Sequence, residues 1–172
     1  MAFTVEDGTG VVDANSYAAL AEADAYFSER GVSTWTGTDD NKKVWLIRAT
    51  DYIELRFSSR FKGAKEFPDA PQGLSFPRTG ITGYEGVPVC LKRATFEYAL
   101  RAIAGPLAPD LPFETNGLQL TGKKTKVGPI ETDFQYKQTG AGSIVPAFRP
   151  YPAADTHLRP LLAPSGGNTV YR

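Results

Sequence analysis

The stretch GLQLTGKK, Gly117 to Lys124, comes within one residue of the phosphate-cradling pattern G-x-x-x-x-G-K-[ST]. Lys124 stands where the metal-binding hydroxyl belongs. Such a loop also needs a helix after it, and here TKVGPIETDF follows, where Gly128-Pro129 blocks a helix. The stretch therefore reads as a lysine-rich hairpin turn. The sole histidine, His157, lies in a proline-rich segment with no serine or cysteine nucleophile motif near it; it reads as a partly exposed helix residue. One cysteine and one histidine leave a zinc site short of ligands. Glu22 with Asp24, and Asp39 with Asp40, are carboxylate sets, but both fall where acids favour a helix start or a solvated face. Cys90 sits between Val89 and Leu91 and reads as a small packing residue. Lys123, Lys124 and Lys126 lie near Phe134 and Tyr136, a composition that suits DNA contact by charge and stacking, or subunit contact. Strand alternation also fits them as a solvated hairpin with inward aromatics. Nothing in this inventory assembles a catalytic constellation, so the expectation is no enzyme, no catalytic residue, no metal and no cofactor.

The charge is balanced overall, with 19 basic and 19 acidic residues among 172, which argues against a general nucleic-acid glue. The balance hides a split. Residues 1–40 carry a net charge of −7, residues 41–101 carry +5, and residues 102–172 carry +2. Such a split suits a molecule that meets copies of itself, acidic face to basic face. A single cysteine excludes an internal disulfide framework. No apolar run approaches the roughly 20 residues of a membrane span, and the acidic N-terminus lacks a signal-peptide pattern. A soluble protein from a reducing compartment, with no membrane partner, is expected.

The elements that must position these residues are mainly helical. Asp13, Asn15 and Ser16 offer cap chemistry before a first helix through ALAEADAYFSER, which stops at Gly31. Leu20, Ala23 and Phe27 mark its buried stripe. A second helix is predicted from Asp39 to Phe61, capped by Thr38, with Leu46, Ala49, Ile53 and Phe57 at helical spacing and Trp45 and Tyr52 widening the stripe. A long Pro/Gly-rich loop follows, pinned by Leu74 and Phe76. The third helix begins near Pro88 and ends at Gly105-Pro106, with a wide stripe of Leu91, Thr95, Tyr98 and Ala102 that fits a central helix touching two neighbours. Two short strands are predicted around a turn at Gly122, within residues 118–136. A last helical turn carries Leu158, Leu161 and Leu162. The predicted organisation is a small helical bundle over residues 1–162 and an extended, flexible C-terminal arm over residues 163–172.

In order along the chain, VEDGTGVVDANSYAALAEADAYFSERG, LIRATDYIE, LSFPRTGI, GVPVCLKRATFEYALRAIAGPL, KVGPIETDFQY and a Gly-Gly tail resemble head-to-tail connector (adaptor, head-completion) proteins of tailed bacteriophages. The resemblance implies a structural virion protein of the neck, assembled in the host cytoplasm. It implies a homo-oligomeric ring of 12 copies beneath the portal, a portal protein and a tail-completion protein as partners, and genome DNA passing through the lumen. It also implies that the arm, Gly166, Gly167, Asn168, Thr169, Val170, Tyr171 and Arg172, docks on the portal by strand addition. The alternative reading is a single-stranded DNA-binding module of a phage.

Overall fold

The structure is a computed structural model that describes residues 2–67, 72–109, 122–127, 130–135 and 148–164. Helix α1 spans Leu20–Glu29. None of the three expected cap residues starts it. Asn15 instead ties down the N-terminal segment, accepting from Thr4 N–H at 2.9 Å and donating to the Ala2 carbonyl at 2.7 Å. The Ala19 N–H is taken by the Glu22 carboxylate at 3.0 Å, so a first-turn acid does the work of the cap. Before α1, Glu6 is fully buried. Its carboxylate accepts from the N–H groups of Gly8, Gly10 and Val11, each at 2.9 Å. A buried charge needs such partners, and here they hold the glycine turn closed.

Helix α2 spans Asp39–Phe57, and Thr38 caps it by accepting from Asn41 N–H at 3.3 Å. It ends four residues earlier than the apolar spacing predicts, because Ser58–Arg60 tighten into a 3-10 turn. Helix α3 spans Val89–Ala102, with Pro88 as its N-cap, one residue before the first turn. Helix α4 spans Pro152–Leu158 and runs into a 3-10 turn at Arg159–Leu161. Helix α3 packs against both α2 and α4, and α1 packs on α2. The core is the one the stripes predict: Leu46, Ile53, Leu91, Tyr98 and Leu158 are fully buried. Each such side chain contributes about 1.5–3 kcal/mol by leaving water.

Where α2, α3 and α4 meet, the rings of Tyr52, Tyr98 and Tyr151 form a mutual cluster with centroids 5.0–5.9 Å apart. Asp155 accepts from the Tyr98 hydroxyl and from Arg56 at 3.0 Å, so the polar ends of the cluster are satisfied.

The described part of the segment between α2 and α3 holds more regular structure than its prolines and glycines suggest. Leu74 and Phe76 are buried, and Phe76 meets the rings of Tyr17 and Phe61 edge-on. Two short strands, β1 (Ala64–Lys65) and β2 (Arg78–Thr79), pair antiparallel. Gly63 makes this pairing possible. Its φ is +69°, and a Cβ there would lie 2.0 Å from the Thr79 carbonyl oxygen. No other residue fits that approach.

The chain divides into two compact units. One holds Met1–Leu107 and Arg149–Arg172, the other Ala108–Phe148. In the second, β3 (Gly122–Val127) and β4 (Ile130–Gln135) pair antiparallel. The expected hairpin exists, but Gly122 opens its first strand rather than turning the chain, and the ladder runs to the pair Val127–Ile130. Among the described residues, no helix is long and apolar enough to cross a membrane.

Candidate nucleic-acid interface

The residues singled out for chemistry scatter rather than converge. Glu22 serves the start of α1 and pairs with Lys92 at 2.6 Å. Asp24 accepts from the Trp35 indole at 2.7 Å and pairs with Lys42 at 2.8 Å. Burial pushes its carboxyl up, and these two donors more than offset that, so its pKa is lowered. Asp39 and Asp40 sit in the first turn of α2. Burial pushes the Cys90 thiol up, which disfavours a reactive thiolate. Burial likewise lowers His157. Among the described residues, no group of His, Cys, Asp and Glu is arranged to hold a metal ion. Gly117 to Thr121 lie outside the described residues; Gly122, Lys123 and Lys124 enter a strand, where the phosphate-cradling motif needs a helix. The arm residues Gly166 to Arg172 also lie outside the described residues.

Lys123, Lys124 and Lys126 all fall on β3. The register sets Lys123 opposite Phe134, Lys124 opposite Asp133, and Lys126 opposite Glu131. Two of the three lysines therefore stand in register with acidic positions.

A second set of cations gathers in the helical unit, from segments far apart in the chain. The residues after α2 are laced to those after α4: Lys62 N–H donates to the Leu161 carbonyl at 2.9 Å, Ala163 N–H donates to the Arg60 carbonyl at 2.8 Å, and Phe61 bridges Leu162. The Lys62 ammonium donates to the Pro160 carbonyl at 2.9 Å. The short β1–β2 pair then sets Lys65 opposite Arg78. The Arg78 guanidinium is held by three carbonyls, those of Lys62 at 2.8 Å, Gly63 at 2.7 Å and Ser75 at 3.3 Å. Arg60, Lys62, Lys65, Arg78 and Arg159 thus form one basic corner. Arg60, Lys62, Lys65 and Arg159 are exposed, and Arg78 is half-buried.

Sequence reasoning passed over this corner, because its members lie in a loop and in a terminal turn roughly 100 residues apart in the chain. Its one trace is the +5 charge of residues 41–101.

A family model described as "Putative DnaT-like ssDNA binding protein" matches residues 1–172, the whole chain. The chain belongs to that family. No curated protein and no solved structure matches it. Membership in the DnaT-like family overturns the resemblance to phage head-to-tail connectors. The neck function, the ring of 12 copies and the portal and tail-completion partners lose their support, and so does the portal-docking role of Gly166 to Arg172. The order of weak motifs that suggested a connector carried no chemistry of its own. The DnaT-like family's description agrees with the alternative reading and brings DNA forward as the partner.

Proposed function

We propose that this protein is a non-enzymatic module that binds single-stranded DNA. The match of the whole chain to the DnaT-like family carries the reading. The charge distribution supports it. A molecule of zero net charge does not attract a polyanion through its overall field. It binds one through a local patch of cations that lack internal carboxylate partners. Among the described residues the basic corner is such a patch, and the lysines of β3 are a second set of candidates. Preference for single strands requires aromatic faces on which bases stack. Among the described residues Trp45, Phe67 and Tyr84 are half-buried, and Phe67 follows Lys65 by two positions.

The test is a gel shift with a labelled single strand and unlabelled competitors. Excess single strand should remove the shifted band, and the same mass of duplex should leave it. Equal competition by duplex would replace this reading with plain electrostatic DNA binding, and the absence of any shift would reject it.

A further inference from the structure

We infer that the basic corner of the helical unit, built from Arg60, Lys62, Lys65, Arg78 and Arg159, is the site that holds the phosphodiester backbone, and that the lysine-rich strand β3 is not. The assignment rests on the single-stranded DNA reading and gives it a location.

The described cations differ in their partners. Arg30, Lys42, Lys43, Arg56, Lys92 and Arg101 each pair with a carboxylate. The five corner cations pair with none among the described residues; those with hydrogen-bond partners use only backbone carbonyls. Arg48 on α2, Arg93 on α3 and Arg149 ahead of α4 also make no carboxylate pair among the described residues, but each stands on a separate segment. What sets the corner apart is that its members gather in one place. A carbonyl leaves the positive charge uncompensated, so the corner keeps its field. Glu66, next to Lys65 in the chain, is exposed and makes no ion pair among the described residues.

The strand register adds a cost that needs an explanation. Lys65 and Arg78 lie directly opposite one another, and like charges across a strand pair are destabilising. A bound phosphate between or beside them removes that repulsion. The corner is also built before any ligand arrives. Three carbonyls fix Arg78, Gly63 permits the close strand approach, and the Arg60–Lys62 segment is bonded to the Leu161–Ala163 segment. Cations fixed in advance lose less freedom on binding. On β3 the arrangement is the reverse. Lys124 and Lys126 sit in register with Asp133 and Glu131, and opposite charges at paired positions favour a strand pair rather than cost it.

The experiment uses the full chain and a fluorescent oligothymidine of roughly 25 nucleotides, longer than a typical single-strand site, read by anisotropy over a salt series. Three variants are compared with the wild type: K62Q/K65Q/R159Q in the corner, Lys65→Glu alone, and K124Q/K126Q on β3. Arg78 is left in place because it holds the loop. The corner triple variant should bind at least about tenfold more weakly, and its slope of log affinity against log salt should shrink by about 2, at about 0.7 per phosphate contact. Lys65→Glu should weaken binding in the same direction, while K124Q/K126Q should stay within about threefold of wild type, with its salt slope nearly unchanged. Thermal melts confirm that each variant is folded. Wild type that binds, with the loss confined to the β3 variant or shared equally by both sites, would overturn the location and leave the function standing. Wild type that does not bind the oligonucleotide would overturn the function and the location together.

Discussion

The Tyr151 hydroxyl donates to the carbonyl of Leu107 at 3.1 Å. These two residues stand at the points where the chain leaves the helical unit and returns to it, on either side of Ala108–Phe148. The bond therefore closes the helical unit on itself, and the intervening unit is an insertion whose roots are already joined. Replacing residues 109–147 with a short Gly/Ser linker should leave the helical unit folded, with a cooperative melt. A chain that loses its helical circular dichroism on this replacement would show that the insertion is needed for the fold. Tyr151→Phe should cost about 1–3 kcal/mol, because it leaves the Leu107 carbonyl buried without its donor; chemical denaturation reads this directly.

Ile53 and Leu55 differ by two positions on α2 and by everything in environment. Ile53 is 0% exposed and Leu55 is 66% exposed. Ile53→Ala should destabilise by about 2–5 kcal/mol, while Leu55→Ala should stay within about 0.5 kcal/mol of wild type. Comparable losses from the two would refute the packing of α2 on α3.

Glu6 carries a different kind of stability. Glu6→Gln keeps the shape but weakens three charge-assisted bonds to backbone N–H groups. A loss of about 1.5–3 kcal/mol is expected, with faster amide exchange at Gly8, Gly10 and Val11. Unchanged exchange there would mean that the carboxylate does not hold the turn.

Burial lowers the pKa of His157 below its ordinary 6.5, although Glu97 pulls the other way. The unfolded chain therefore takes up a proton at a higher pH than the folded one. Stability is complete above about pH 7 and declines as pH falls through 6.5 toward the folded value, since protonation then favours the unfolded state. His157→Gln should flatten this part of the stability curve; an unchanged decline in the variant would place its origin elsewhere.

The helices were legible because their signal is local. Leu46, Ala49, Ile53 and Phe57 recur at a spacing only a helix uses, and Leu91, Thr95, Tyr98 and Ala102 repeat it. The hairpin was legible as an element but not in its turn. The turn was expected at Gly122, whereas that residue pairs with Gln135 inside the ladder, and the Thr and Lys residues of β3 leave no apolar alternation to fix a register. The basic corner was not legible at all. Arg60, Lys65, Arg78 and Arg159 follow no period; the backbone bonds between residues 60–62 and 161–163 and the β1–β2 pairing bring their segments together. The Asp155–Arg56–Tyr98 network was hidden for the same reason, since its partners lie far apart along the chain.

The central claim is selective binding of single-stranded DNA, and equilibrium anisotropy of the wild-type protein at physiological salt tests it most directly. Two labelled probes are needed, an unstructured single strand of roughly 25 nucleotides and a duplex of the same length. The account predicts saturable, submicromolar binding to the single strand, weakening linearly on a log-log salt plot, and binding to the duplex at least about tenfold weaker. Affinity no better than that of weak non-specific contacts, or equal affinity for both probes, would contradict it.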